Sequence, residues 1–260
     1  MVLSVKDVTV AAEGQGIDAL GQFQLHTAGS FIGAAVNFTQ ANLMMLLAAG
    51  LILALLHYGA RPRAIVPGRL QALAELSYDF IYGMCTDQIG EEGKRFFPLI
   101  FTLFFFILLG NLIGVWPYAF TFTSHIATTL ALALLVMVLT TTVALRLHGW
   151  KFFSYFVPEG VPKLLLPLLV PIEVLSYLSR LISLSVRLFA NMMAGHVMLE
   201  VFGAFIIMLG GAGLIFWAPA AFSFTVNVAL IGFEFLVAVL QAYVFAVLTC
   251  IYLHDAVHLH

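Results

Sequence analysis

The chain has 260 residues, of which 62% are hydrophobic and only 9% are charged, with 11 Lys and Arg against 13 Asp and Glu. Soluble globular chains carry about 25% charged residues, and a protein this small has no interior large enough for so much apolar surface, so lipid is the solvent for most of it. The arithmetic argues against a cytosolic enzyme, a nucleic-acid binder and a disordered tail: the net charge of −2 offers polyanions no basic surface, and two cysteines make no disulfide framework.

Residues 1–41 carry Lys6, Asp7, Glu13 and Asp18 and no long apolar run. They show neither the basic stretch and short apolar core of a cleavable signal nor an Arg-rich presequence. A first span is predicted over 42–58, near the short limit for ~30 Å of hydrocarbon. Residues 67–90 open with Pro67 and close with Gly90, and Leu70, Leu73, Phe80, Ile81 and Met84 recur at roughly helical spacing among Glu75, Asp79 and Asp87. That pattern predicts an amphipathic or interfacial helix. The fifty residues from Phe96 to Leu145 then contain no Asp, Glu, Lys or Arg. They accommodate two spans, 97–117 and 125–145, broken at Trp116-Pro117-Tyr118 through Ser124-His125. A basic loop (Arg146, Lys151, Lys163) leads to two long apolar segments, 171–209 and 219–253, with Gly210, Gly211 and Gly213 at the turn between them.

Lys and Arg set the orientation. Arg61, Arg63, Arg69, Lys94 and Arg95 lie in one connection and Arg146, Lys151 and Lys163 in another, whereas 117–125 and 210–218 have none. Five spans with the basic loops inside place the N-terminal segment outside and the C-terminus in the cytoplasm. Trp116, Trp150 and Trp217 fall near span ends, where indole prefers to sit. The last two segments are overlong: a helix over 171–209 would reach about 58 Å, nearly twice the hydrocarbon thickness. Ordinary tilt does not absorb that excess, so the pair is read as a steeply inclined helical hairpin.

Polar residues on this hairpin are periodic. Glu173, Ser176, Arg180, Ser183, Arg187, Asn191 and Ala194 are spaced by three or four and share one helix face. His196, nine residues past Arg187, falls about 180° round the helix, and Glu200 shares that rear face. On the second segment Asn227, Glu234 and Gln241 recur every seven residues. Folding the hairpin about residue 214 sets Arg187 level with Gln241, and His196 within about two residues of the level of Glu234.

Each residue also has a plainer reading. Arg180 can snorkel to the inner interface, Glu173 and Glu200 can face interfacial water, and Asn191 and Gln241 can be interhelical glue. His196 and Glu234 can be a satisfied structural pair, and Asn111 and His125 can each be structural residues. Ser176, Ser179 and Ser183 suit close packing. Arg187 resists such a reading, lying deep with no carboxylate one turn away. His254 and His258 flank Asp255 without further ligands, so no metal site is assigned, and no cofactor. Cys85 and Cys250 fall in different expected environments and are assigned to packing.

The stretch Ser185-Val186-Arg187-Leu188-Phe189-Ala190-Asn191-Met192-Met193-Ala194-Gly195-His196 resembles the signature of subunit a of the F-type ATP synthase. Glu234 to Gln241, continuing to Thr249, is similar to that family's last helix, and Asn111-Leu112-Ile113-Gly114 with Trp116-Pro117-Tyr118 to an earlier span. The resemblance covers nearly the whole chain and is weakest before residue 70. It implies an all-α polytopic membrane protein of the bacterial inner membrane whose inclined hairpin borders a rotating ring of small proteolipid c subunits. Further implied partners are peripheral-stalk b-type subunits, the rest of the synthase and membrane lipid. Arg187 matches the family's essential arginine between two offset half-channels. Asn191, His196, Glu234 and Gln241 match positions of the outer half-channel, near which Glu200 lies, and Glu173 with Ser176 matches the inner side. Some members carry Glu at the position of His196 and His at that of Glu234, which keeps one acid and one imidazole together and leaves open which group serves the ring.

These residue types suit the implied chemistry. A guanidinium stays protonated even where poorly solvated, so it favours an ionised carboxylate passing it and opposes a direct proton leak. An imidazole exchanges protons near neutrality and a buried carboxyl can be neutralised by protonation, a combination fit for relay. The resulting expectation is a stator subunit that conducts protons and makes no ATP itself. The alternative is an autonomous proton-coupled transporter, a class that often shows internal repeats, none of which is evident here. Two arginines are too few for a voltage sensor, and a scaffold leaves Arg187 unexplained.

Overall fold

The computed structural model describes residues 27–30, 37–60, 68–116, 121–157, 165–211, 213 and 216–258. Lys6, Asp7, Glu13, Asp18, Arg61, Arg63, Pro117, Tyr118 and Lys163 lie outside the described residues. A short antiparallel pair, β1 (Thr27–Ser30) and β2 (Asn37–Thr39), precedes six α-helices. These are α1 (Gln40–Ala60), α2 (Arg69–Ile89), α3 (Phe97–Val115), α4 (Ile126–His148), α5 (Leu166–Gly211) and α6 (Trp217–Val257). All except α2 are long and apolar enough to cross a membrane. The protein is an all-α polytopic membrane protein, the β pair being its one departure among the described residues.

Local sequence explains where the helices stop. Pro98 sits in the first turn of α3, where its missing N–H is not needed. Gly149 ends α4 at φ 55°, a conformation that disfavours a side chain. Helix α5 starts at Leu166, earlier than the start at Pro171 that the sequence pattern suggested. Pro167 lies in the first turn, and Pro171 inside the helix forfeits one backbone bond without ending it. At 1.5 Å per residue, the 46 residues of α5 and 41 of α6 extend about 69 and 62 Å.

The core lies among α2, α3, α4 and α6, around Ile81, Ile100, Phe104, Ile107, Val136, Phe245 and Leu253. Here α2 departs from a simple interfacial helix. Leu70, Leu73 and Phe80 are exposed, whereas Ile81, Met84, Cys85 and Ile89 are buried, so the helix presents apolar surface on two sides. The environments expected for the cysteines need correction. Cys85 and Cys250 are both fully buried in this one core and face each other with thiols in contact, because α2 packs directly on α6. Helix α5 behaves oppositely, with only Leu184, Ser185, Leu188 and Met192 buried along its length.

Candidate functional site

The two long helices form the most extensive helix–helix contact, and their polar residues divide between two faces of α5. Ser176, Ser183, Arg187, Asn191 and Ala194 are exposed, with Glu173 and Arg180 half-buried, so the stripe read from the sequence looks away from the chain's own core. The Arg187 side chain donates from Nη2 to Ser183 Oγ at 3.3 Å. Among the described residues no carboxylate forms an ion pair with it.

His196 faces the other way, into the hairpin. Its Nδ1 pairs with Glu234 Oε1, and the side chains are only 10% and 2% exposed. Gly195 makes this approach possible: a Cβ there would stand 3.0 Å from Glu234 Oε1 and 3.4 Å from its carboxyl carbon. Both Glu234 carboxylate oxygens are buried, and the approach of His196 apart neither has a hydrogen-bond partner among the described residues. Nearer the middle of the hairpin, Asn191 Nδ2 donates to Gln241 Oε1 at 2.9 Å. Toward the turn, Asn227 Nδ2 donates to the Leu199 carbonyl at 3.4 Å. Glu200 is half-buried one turn beyond His196.

The levels deduced from a fold at residue 214 are right for His196 and Glu234 and one turn out for Gln241, which accepts from Asn191 and not from Arg187. The helices do not advance in step: from Asn191 back to Arg180 is 11 residues, while from Gln241 on to Asp255 is 14. Arg180 reaches this far through its long side chain. Its Nη1 donates to Asp255 Oδ2 at 3.0 Å, and its guanidinium lies over the rings of Tyr252 (5.2 Å) and Tyr177 (5.8 Å). Arg180 is thus a paired residue and not a free snorkelling cation. Asp255 is held by that pair while His254 and His258 stack on each other at 4.6 Å. No hydrogen bond or ion pair links the side chains of Glu173 or Ser176 to α6 among the described residues. The Ser176 carbonyl accepts from Ser179 Oγ at 2.7 Å.

Sequence reasoning missed a third contributor, the turn between α3 and α4. Thr121, Phe122, Thr123 and Ser124 are all buried, and Thr121 Oγ1 is hydrogen-bonded to His196 Nε2. Two glycines one turn apart on α3 seat it: a Cβ on Gly110 would overlap the Phe122 ring, and one on Gly114 would overlap the Thr121 side chain. Asn111, fully buried between them, accepts from Thr123 Oγ1 at 2.8 Å and donates to the Ala238 carbonyl of α6 at 3.4 Å. The signal available in the sequence was Gly110-Asn111 with Gly114, two small residues flanking a buried amide. His125 follows at the N-terminal cap of α4.

This arrangement provides a fixed exposed cation on one face of a helix and a buried acid–imidazole pair on the other. Comparison with known proteins gives it a family context. The family model for the ATP synthase A chain matches residues 42–254. The ATP synthase subunit a of Granulibacter bethesdensis is 63% identical over 245 residues, spanning 94% of this chain and 98% of that protein. Those of Gluconacetobacter diazotrophicus (61% over 246 residues; 95% and 99% of the two chains) and Acidiphilium cryptum (58% over 250 residues; 96% and 100%) are similarly close.

Proposed function

The chain belongs to the ATP synthase A chain family, of the membrane sector of that complex, and on this premise we propose that it conducts protons for the rotor. In this reading it is a stator subunit, catalysing no ATP chemistry itself, beside a ring of small proteolipid c subunits. Protons reach and leave the ring carboxylates through two offset half-channels, and their flow is coupled to ATP synthesis. Asn191, His196, Glu200, Glu234 and Gln241 belong to the outer half-channel, and Glu173 and Ser176 to the inner one. Peripheral-stalk b-type subunits hold the chain against rotation in a bacterial inner membrane, with the N-terminus outside and the C-terminus cytoplasmic.

The observation that carries this reading is Arg187, a cation exposed on a nearly uncovered helix with no carboxylate among the described residues paired to it. An unpaired cation at membrane depth is costly, and a carboxylate supplied by a partner removes that cost. Each ring carboxylate arriving at Arg187 is favoured in its ionised form, and it takes up a proton on leaving. The guanidinium keeps its own proton throughout, so the two half-channels stay separated. His196 and Glu234, about 13 Å along the helix from Arg187, form a proton-exchanging pair sheltered from the lipid. The driving force is the transmembrane potential, about 2.3 kcal/mol per charge per 100 mV.

Mass spectrometry of the gently solubilised complex tests the partner. A photocrosslinking residue at Ser183, beside Arg187, should attach to a small two-helix proteolipid bearing a mid-helix carboxylate. Attachment only to lipid, with no such proteolipid in the complex, contradicts the reading and favours an autonomous transporter.

A further inference from the structure

We infer that Thr121 is a positioning residue of the proton relay, holding the His196 ring through Nε2 so that Nδ1 faces Glu234. The inference rests on the proton-conducting reading of the hairpin and adds to it a residue from a different part of the chain. Three observations carry it. First, the His196 imidazole is engaged at both nitrogens, with Glu234 Oε1 at Nδ1 and Thr121 Oγ1 at Nε2. Second, Thr121 is only 3% exposed, so its hydroxyl proton has no bulk water to bond and needs a protein acceptor. Nε2 of a neutral ring is that acceptor, and a hydroxyl donating to Nε2 leaves the ring proton on Nδ1. Third, the hydroxyl is held by construction. The Gly114 seat fits the Thr121 side chain, Ser124 Oγ donates to the Thr121 carbonyl at 2.6 Å, and Asn111 ties the adjoining Thr123 to α6.

The direction of the relay follows. The proton handed on is that of the cationic ring: Nδ1 gives its proton to the buried Glu234 carboxylate, and the ring is left neutral with its remaining proton on Nε2. The imidazole then needs no ring flip to face its acceptor. The Nε2–H of that ring donates to the Thr121 oxygen, and when the ring rests on Nδ1–H the hydroxyl donates to Nε2 instead, so Thr121 holds the ring orientation in each state. Thr121 itself carries no proton across the membrane in this account. It acts through His196.

The test is ATP-driven acidification of inverted membrane vesicles containing the whole complex, with rates normalised to the amount of this subunit in the membrane. Thr121→Val retains the shape that fills the Gly114 seat and removes only the hydroxyl, whereas Thr121→Ser retains the hydroxyl. The valine variant should pump at least fivefold more slowly per assembled complex and show a displaced pH profile. The serine variant should keep at least half the normal rate with the profile in place. A valine variant within twofold of normal with an unmoved profile overturns the inference. So does a serine variant as impaired as the valine one, since methyl packing would then be the decisive property. His196→Ala, measured alongside, separates the two levels of the argument. If it pumps normally, the relay reading has failed, whereas its loss beside an unaffected Thr121→Val removes only the positioning role.

Discussion

His196 on α5 and Glu234 on α6 close the hairpin as a buried imidazole–carboxylate pair, with the bare backbone of Gly195 letting the acid approach. Removing either partner strands the other in a poorly solvated site. His196→Ala and Glu234→Gln should each lower ATP-driven proton pumping by about tenfold or more, roughly 1.4 kcal/mol per factor of ten. Exchanging the two residues keeps one acid opposite one imidazole and should restore more activity than either single change. A double exchange no better than both single variants counts against a relay pair.

Gly195 offers a finer probe of the same geometry. A methyl group there crowds Glu234 Oε1 at 3.0 Å, so Gly195→Ala should displace the carboxyl and slow pumping several-fold. Gly203→Ala is the control on the same helix, its Cβ meeting only Asn227 Nδ2 at an ordinary 3.7 Å. Pumping rates in the two variants should differ clearly; equal rates would show that the close approach at Gly195 has no functional weight.

The glycine seat on α3 should matter for assembly. Gly110→Ala puts a methyl into the Phe122 ring, an overpacking of the kind that costs about 1–3 kcal/mol. We expect less of this variant in the membrane and a lower thermal midpoint in detergent. Unchanged thermal stability would mean that the turn at 121–124 shifts freely, against its burial and its bond to Asn111.

At the far end of the hairpin, Arg180 and Asp255 are each about a third exposed, so their pair should be worth only about 1 kcal/mol or less. A double-mutant cycle on Arg180→Gln and Asp255→Asn, read by thermal unfolding in detergent, should give a coupling of that size. The contribution should shrink as salt rises. A coupling of several kcal/mol would require a much drier site than the half-buried pair beside Tyr177 and Tyr252.

Much of this architecture was legible because lipid imposes simple rules. Apolar runs of fixed length mark the crossing helices, and a helical period placed Ser183, Arg187 and Asn191 on one face with His196 opposite. The level of His196 with Glu234 followed from the position of the turn alone. Contacts that depend on how helices incline were not legible. Gln241 pairs one turn away from its expected level, and Arg180 finds Asp255 through its long side chain. The same holds for contacts between elements distant in sequence. Cys85 meets Cys250 because α2 packs on α6, and Thr121 meets His196 because two glycines and Asn111 fold the α3–α4 turn inward. No periodicity within one segment encodes those approaches.

The central claim is that Arg187 is the fixed cation past which the rotor carboxylates move. Replacing it with lysine keeps a positive charge but allows that charge to be lost in a poorly solvated site. The decisive measurement is ATP-driven acidification of inverted vesicles carrying Arg187→Lys, beside ATP hydrolysis by the catalytic sector detached from the same membranes. The account predicts no acidification with hydrolysis intact. Normal acidification by the lysine variant would contradict it.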